Sequence, residues 1–454
     1  MENQQILYAG CAKVKVTPPM GHFVPGYFSR RYADGIITDL FVRGAAFSDG
    51  TNKAVILTCE CLSITAVMAD RIREMVAQRC NMDKDGVYIT AVHSHTSFRI
   101  VNITEENTDD DVFHRWFCQQ VTDCAQFAFE DLKPCTLKVA CGKAKGVGFI
   151  RTYRMADGTV KTNPGVANPN TVAPIAQQDE EVQLLRVVRD GGKEMLLVNF
   201  ATHADVIGGT KFCADWPGFL ADTLENAFGG EVAAFTLIGT EGNSNHVNVF
   251  QPKGTPVKGL NIAKRMARIL AGEVLKIYDD AKDAASHSLS FYRQEVLIGQ
   301  NPHDPADEPE AKEIAELYKQ LGNGNDPVFQ KYKLNVPEAI RIVANLSRPK
   351  IFHIWMTGIR LGSVGLIGIP GEPFCSIGQA IKAGSDLDLT MVTSLTNGAY
   401  GYYPDADAFA EKGYERSSSP FAHNCAQLLT VGGIAIAKKM KQDILLNNLF
   451  YKMS

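Results

Sequence analysis

The sequence lacks the features that mark several large classes of protein. Its 454 residues carry a formal net charge of −4 and contain no basic cluster, so we expect no nucleic-acid partner. No uninterrupted apolar run approaches 18 residues, which predicts the absence of a transmembrane segment. The first residues, MENQQILYAGCAKV, have neither the basic start nor the apolar stretch of a secretory signal.

Cysteine is present, but not in the pattern of a disulfide framework. The eleven cysteines are an odd number and lie in apolar contexts, for example at Cys118, Cys124 and Cys425. Such contexts are typical of buried, reduced thiols. Together with the missing signal, they predict a cytoplasmic protein. An exported protein whose signal had been removed would show the same pattern.

What the sequence does contain is a regular alternation of short apolar runs and amphipathic segments, without internal repeats or low-complexity stretches. We predict strands at 54–62, 87–92, 136–142, 182–189, 195–202, 232–239, 363–369 and 390–395. We predict helices at 64–80, 111–131, 217–228, 260–280, 308–321, 374–384 and 424–441. The helix at 217–228 has clear start signals, because Asp215 can cap it and Pro217 lies near its first turn.

This alternation indicates an α/β or α+β fold with a large mixed sheet and flanking helices. We predict one domain over residues 1–454. The more polar stretch 300–350 is predicted to be an insertion or a connection between two halves.

Polar, chemically capable side chains follow five of the predicted strands. In α/β sheets, ligands and catalytic groups lie beyond the carboxyl ends of strands, where loops converge on a rigid support. We therefore predict the active site at these strand ends. The candidates are His93 and His95; His203 and Asp205; Glu241, Asn243, Asn245 and His246; Glu372; and Tyr400, Tyr402 and Tyr403.

The spacing of His93 and His95 is the most informative of these patterns. Alternate residues of a strand point to the same side, so a strand continued through HSH would aim both imidazoles at one place. That arrangement suits a metal or acid–base site, but a surface hairpin can show it by accident. Two further candidates have structural interpretations as well, since Glu372 could cap the following helix and Tyr402 could be a packed aromatic.

Several widely spaced blocks resemble, in the same order, the catalytic domain of the neutral/alkaline non-lysosomal ceramidases. The blocks are VTPP near the start, HSH at 93–95, FATHADV from residue 200, GTEGNSNH from residue 239, PGE at 370–372, and NGAYGYYP with the later GYE at 413–415. The likeness covers most of the chain. It implies a divergent member of that family without the C-terminal immunoglobulin-like domain of secreted ceramidases.

The resemblance implies a zinc site held by His93, His203, Glu372 and Tyr402, with Tyr402 favoured over Tyr400 by the block match. It further implies that His95, Arg151 and Tyr414 are polar residues of the active site. The corresponding reaction is hydrolysis of an amide or ester by zinc-activated water, and zinc would be the cofactor.

One block departs from the family. Its ceramidase counterpart carries a serine implicated in catalysis, and alignment at Gly242 places Asn245 at that position, one residue after Ser244. We therefore expect a zinc-dependent, amidase-like hydrolase of a small amide or N-acyl compound, more soluble than ceramide. Two alternatives are a true neutral ceramidase, which would belong to lipid metabolism, and a ligand-binding relative without turnover.

Overall fold

The computed structural model describes residues 6–104, 108–285, 288–411 and 413–453, with only the helical backbone beyond residue 446. It is a mixed α/β structure, as the sequence predicts. Within this part of the chain, no helix is long and apolar enough to cross a membrane. All eleven cysteines are free, in keeping with the expected reduced thiols.

Two main sheets contain thirteen of the described strands, labelled β1 to β13 in chain order. These are Leu7–Lys15, Phe41–Ser48, Lys53–Cys59, Val87–Ala91, Lys133–Lys143, Glu181–Arg189, Glu194–Phe200, Val232–Ile238, Lys282–Ala284, Leu289–Gly299, Ile351–Leu361, Val364–Gly368 and Leu389–Thr393. Shorter strands lie in the connections: Gly35–Ile36, Ser63–Ile64, Arg99–Ile100, Phe149–Ile150, Thr152–Met155, Val160–Thr162, Thr171–Pro174, Lys211–Phe212, Ser244–Asn245, Glu372–Pro373 and Tyr402–Tyr403.

The described α-helices are labelled α1 to α10 in chain order. They are Ala66–Cys80, Asp109–Glu130, Asp215–Ala227, Leu260–Tyr278, Glu308–Leu321, Val336–Ser347, Cys375–Ala383, Ala406–Ala410, Tyr414–Ser418 and Cys425–Met453. All eight predicted strands and all seven predicted helices are present. The last helix continues well beyond its predicted end at residue 441.

The larger sheet has the strand order β8-β7-β6-β5-β1-β2-β3-β4, with β9 paired to β5, and the smaller sheet has the order β10-β11-β12-β13. Three neighbouring pairs are parallel, namely β3 with β4, β7 with β8, and β12 with β13. Each parallel pair is joined by a helix, because a parallel connection must return along the sheet. These helices are α1, α3 and α7.

This topology repeats three times along the chain, although the sequence shows no repeat. Each unit contains three successive antiparallel strands, a helix, a fourth strand parallel to the third, and a final helix. The units are β1–β4 with α1 and α2, β5–β8 with α3 and α4, and β10–β13 with α7 and α10. The first two units join through antiparallel pairing of β1 with β5.

The two sheets pack face to face between helical layers. Apolar side chains of the larger sheet, among them Phe47, Ile56 and Leu197, form one buried cluster with Ile359 and Leu366 of the smaller sheet. The opposite face of the larger sheet is covered by α1 to α4, and that of the smaller sheet by α7 and α10. The result is a four-layer sandwich whose rigid strands support the loops at their ends.

The polar stretch 300–350 connects β10 to β11, two antiparallel neighbours in the smaller sheet. It contains α5 and α6, which pack together through a small apolar cluster of their own. The cluster includes Ala311, Ile314, Phe329, Ala339 and Ile342.

The predicted cap of α3 is wrong. The helix begins at Asp215 itself, after Ala214, and no side chain of the described residues caps it. Asp215 instead has a φ of 55°, and its carboxylate accepts hydrogen bonds from the backbone of Val206, Ile207 and Trp216. The side chain thus fastens the loop that follows β7, because the amides of Val206 and Ile207 both donate to its Oδ2 atom.

Candidate metal centre

Four of the candidate residues meet beyond the carboxyl ends of strands from all three repeat units. His93 follows β4, His203 follows β7, Glu241 follows β8, and Glu372 follows β12. All four side chains are buried or nearly so. The ends of the strands therefore bring together residues that are far apart in the sequence.

The two histidines converge on a single carboxylate oxygen. Nε2 of His93 and Nε2 of His203 each lie 3.3 Å from Oε2 of Glu372. The ring centroids of the two histidines are 5.0 Å apart. Two imidazole nitrogens and a carboxylate oxygen thus face a common centre.

Backbone carbonyls fix which nitrogen of each ring faces that centre. Nδ1 of His93 lies 2.9 Å from the carbonyl oxygen of Leu62, and Nδ1 of His203 lies 2.9 Å from those of Glu241 and Ser244. A carbonyl only accepts, so each Nδ1 carries a hydrogen and donates it. In the neutral ring, Nε2 is then left with a lone pair, which is how histidine ligands of metals are commonly oriented.

The charges within the cluster are strongly coupled. Burial opposes protonation of His93, but the adjacent Glu372 carboxylate outweighs it and raises the pKa of His93 to about 9. Burial alone would raise the pKa of Glu372, but His93 and His203 hold that pKa well below its usual range. The carboxylate therefore draws positive charge into a buried site.

His95 reaches the cluster, but not in the way the HSH spacing predicts. Strand β4 ends at Ala91, and His93 has a left-handed backbone with φ of 61°, so no strand continues through the motif. The rings still meet, with 3.4 Å between the Nε2 atoms of His93 and His95. Burial lowers the pKa of His95 to about 3, so the ring is uncharged at neutral pH.

The far side of His95 faces an ionic cluster at the edge of the site. Its Nδ1 is 3.9 Å from Oδ1 of Asp205. Asp205 also accepts a hydrogen bond from Tyr27 and forms an ion pair with Lys258 at 2.9 Å. Asp205 therefore gives His95 an anionic neighbour, while Lys258 balances the charge.

Tyr402 is placed by backbone pairing with the glutamate. The short strands Glu372–Pro373 and Tyr402–Tyr403 are parallel neighbours, and Glu372 is directly opposite Tyr402. The Tyr402 ring stacks on that of His203 with an interplanar angle of 19°. Tyr400, the alternative considered from the sequence, lines a separate surface cavity of about 340 Å³ with Trp355 and Asn397.

Arg151 forms one wall of the cluster. It donates from Nε to Glu415 at 2.6 Å and from Nη2 to the carbonyl oxygen of Gly242 at 2.7 Å. Its guanidinium lies 5.2 Å from the ring centroid of Tyr402 and 5.7 Å from that of Tyr414. Arg151 and Tyr414 are thus brought to the same site as the histidines.

Asn245 lies in the adjoining loop, and its own hydrogen bonds run away from the histidines. Its Nδ2 donates to Asn163 at 2.9 Å, and its Oδ1 accepts from the backbone of Val247 at 3.0 Å. The neighbouring Ser244 donates from Oγ to the carbonyl oxygen of Ala201 at 3.3 Å. In the structure, both side chains serve the geometry of the loop.

Glu241 is a strand-end candidate to which the sequence assigns no particular role. It is fully buried, and within the described residues no hydrogen bond of normal geometry reaches either of its carboxylate oxygens. One ligand atom each of His93, Glu241 and Glu372 lie within 4.8 Å of one another. In the sequence, the signal that could have identified Glu241 is its position shortly after a predicted strand. His203 and Glu372 occupy similar positions.

A cavity of about 520 Å³ adjoins the loop that carries Glu241. His246 lines it and is buried with both ring nitrogens lacking hydrogen-bond partners among the described residues. The rest of the lining mixes polar and apolar side chains, including Asn248, Gln251, Arg265 and Met266. Such a lining offers polar side chains to a ligand.

Fold and site together define a mixed α/β protein with a buried histidine–carboxylate centre at its strand ends. No family model matches the chain, and no curated protein matches its sequence. A neutral ceramidase from Pseudomonas aeruginosa has a similar structure, with a TM-score of 0.70 and 14% identity over 96% of this chain and 75% of that one. A ceramidase complexed with C2 gives a TM-score of 0.69 and 14% identity over 96% and 76%. The chain therefore has a neutral ceramidase-like fold, and the resemblance stated from the sequence blocks is confirmed at the level of fold.

Proposed function

We propose that the protein is a zinc-dependent hydrolase that cleaves an amide bond. The observation that carries the proposal is the convergence of His93 and His203 on one oxygen of Glu372, with both Nδ1 atoms held by carbonyls. Two imidazoles and a carboxylate, with the phenol of Tyr402 beside them, form the nitrogen and oxygen donor set that Zn²⁺ accepts. The Glu372 carboxylate already favours positive charge on His93, and the same attraction favours a cation at the centre.

Zinc bound at such a site would lower the pKa of water from 15.7 to about 7 and so supply hydroxide at neutral pH. The protein's own residues have complementary roles. His95 is uncharged at neutral pH and its Nε2 lies 3.4 Å from that of His93, so the ring can hydrogen-bond water or substrate held at the centre. Arg151 places a permanent positive charge beside His203, where it can stabilise an oxyanion developing on the substrate carbonyl.

We infer the substrate class from the cavity next to the loop that carries Glu241. Polar side chains of its lining, among them Asn248, Gln251 and Arg265, favour a small, polar amide or N-acyl compound. The second candidate is ceramide hydrolysis, which is favoured by the fold shared with the two ceramidases.

Metal analysis combined with a substrate panel tests the proposal. We expect about one zinc per chain, and hydrolysis of short polar N-acyl compounds in preference to a fluorescent ceramide analogue. Activity on the ceramide analogue alone would instead support the second candidate. Bound zinc without hydrolysis of any member of the panel would favour a ligand-binding protein.

Two variants connect the metal to the named ligands. His93→Ala and His203→Ala should each remove most of the zinc and the activity, since each removes one imidazole from the donor set. His353→Ala is the matched control, because His353 is a largely exposed histidine on β11 that pairs with Glu295. Full zinc retention in both site variants would contradict the proposal.

A further inference from the structure

Glu241 has an environment that a structural carboxylate does not normally tolerate. Its side chain is fully buried, while the Ser394 hydroxyl nearby forms no hydrogen bond of normal geometry with it. Buried carboxylates are ordinarily paired with a cation or with several hydrogen-bond donors, because burying an unpaired one costs several kcal/mol. Among the described residues, the site thus contains an acceptor without a donor.

The backbone holds Glu241 firmly even though its side chain is unpaired within the described chain. Its carbonyl oxygen accepts from Nδ1 of His203 at 2.9 Å and from the amide of Ser244 at 2.7 Å. The next residue, Gly242, donates its amide to the carbonyl oxygen of Pro373. The backbone at Glu241 is therefore held between the ring of His203 and the short strand Glu372–Pro373, and both His203 and Glu372 are proposed ligands.

The surroundings of the carboxylate indicate what would satisfy it. A ligand atom of Glu241 lies within 4.8 Å of those of His93 and Glu372, so two carboxylates face one imidazole in a buried space. Two ionised carboxylates at that separation repel each other, and the repulsion is relieved either by a proton on one of them or by a cation between them. By contrast, the buried carboxylate of Glu60, which follows β3, has its own cation, Arg43, at 3.4 Å.

We propose that Glu241 is a further ligand of the metal ion held by His93, His203 and Glu372. The inference rests on the proposed function, because it requires a metal at this centre. Two carboxylates balance the charge of a divalent cation without requiring Tyr402 to ionise, so that the buried site is neutral overall. The ligand set implied by the family resemblance does not include this residue.

Glu241→Gln tests the inference, because it keeps the shape of the side chain and removes its charge. We expect the variant to bind zinc at least about tenfold more weakly than the parent protein in competition with a chelator, as loss of a ligand weakens the site at least as much as loss of a supporting contact. In the cobalt-substituted protein, the visible absorption spectrum should change, since it reports the number of ligands around Co²⁺. Glu60→Gln is the matched control, with unchanged metal affinity and spectrum.

The stability of the metal-free protein distinguishes a ligand role of Glu241 from a structural role. If Glu241 is a ligand, metal-free Glu241→Gln should be at least as stable as the metal-free parent, because the carboxyl group it replaces makes no hydrogen bond of normal geometry within the described chain. A structural residue would instead lose stability on substitution. Should Glu241→Gln fold poorly, Glu241→Asp, which retains the charge but shortens the reach, should show the same loss of metal affinity.

The outcomes separate this inference from the proposed function. If the parent protein binds no metal, the proposed function fails. If His93→Ala loses the metal while Glu241→Gln retains full affinity and an unchanged cobalt spectrum, the proposed function stands and the inference about Glu241 is overturned.

Discussion

Arg151 and Glu415 form a buried ion pair, with 2.6 Å between Nε and Oε1, in the wall of the candidate metal centre. Burial disfavours the charge of Arg151, but Tyr402 and Glu415 outweigh it and raise the pKa of the guanidinium above its ordinary value. Arg151 follows the short strand Phe149–Ile150, and Glu415 lies at the start of α9. The ion pair therefore brings two distant segments of the chain to one site.

Removing one partner of this pair should be costly. We expect Glu415→Ala to lower the free energy of unfolding by about 3 kcal/mol, because Arg151 would be left buried with an unbalanced charge. The control is Glu411→Ala, which breaks the more exposed pair between Arg154 and Glu411 and should cost less than about 1 kcal/mol. Urea unfolding of both variants measures the difference, and equal losses would contradict the prediction.

Trp216 should influence the metal centre through His203. Its indole Nε1 donates to the carbonyl oxygen of His203 at 3.0 Å, and the ring is fully buried. Trp216→Phe keeps an aromatic ring but leaves that carbonyl without this donor. We expect a loss of stability of about 1–3 kcal/mol together with weaker zinc binding. Trp355→Phe, at a partly exposed tryptophan, is the control, and normal zinc affinity in Trp216→Phe would argue against the coupling.

Gly242 should tolerate no side chain, because the chain approaches Glu372 closely there. A Cβ at this position would lie 2.3 Å from the carbonyl oxygen of Glu372 and 2.9 Å from that of Pro373. Gly242→Ala should therefore displace Glu372, reduce zinc content and lower the melting temperature.

The matched control for Gly242 is Gly272→Ala in the middle of α4, where a Cβ meets no atom of the described part of the chain within 4 Å. That substitution should stabilise the protein by roughly 0.5–1 kcal/mol, since alanine is the better helix former. A Gly242→Ala protein with normal zinc content would show that the backbone there can move aside.

His246 should make the protein sensitive to mild acid. Burial lowers its pKa to about 4 from the ordinary value of 6.5, with Asp205 opposing the shift and Lys258 and His203 adding to it. The folded state thus binds the proton less tightly than the unfolded state. Its contribution is present above pH 6.5 and is lost as the pH falls from 6.5 towards 4.

The expected size of the His246 effect is a loss of about 2 kcal/mol between pH 7 and pH 5. In His246→Gln, this part of the pH dependence should disappear, as measured by urea unfolding at both pH values. His353→Gln, at a largely exposed histidine, should keep the pH dependence of the parent. An identical slope in all three proteins would rule out the assignment to His246.

The order of strands and helices could be predicted from the sequence because it depends on local pattern. Apolar runs at 87–92 and 232–239 have few alternatives to burial in a sheet, and both form strands there. The sequence pattern does not predict strands β1, β2, β9, β10 and β11. In β10, for example, most side chains are only half-buried, and such mixed runs lack a distinctive pattern.

The placement of candidate residues after strands was also accessible from the sequence, since it follows from how α/β sheets are built. His93, His203 and Glu372 could be named on that basis and on the resemblance, and they lie together in the structure. The HSH spacing led to the right neighbours for the wrong reason, because His93 leaves the strand in a left-handed conformation.

The sequence by itself thus determined eight of the thirteen strands of the two main sheets and the polar side chains that stand at their ends, because both depend on neighbouring residues. Only the tertiary structure decided the threefold repeat of strand order, the carbonyls that orient His93 and His203, and the burial of Glu241 without a partner among the described residues. These features arise from contacts between distant segments, whose partners are selected by packing of the whole chain and leave no local pattern to read.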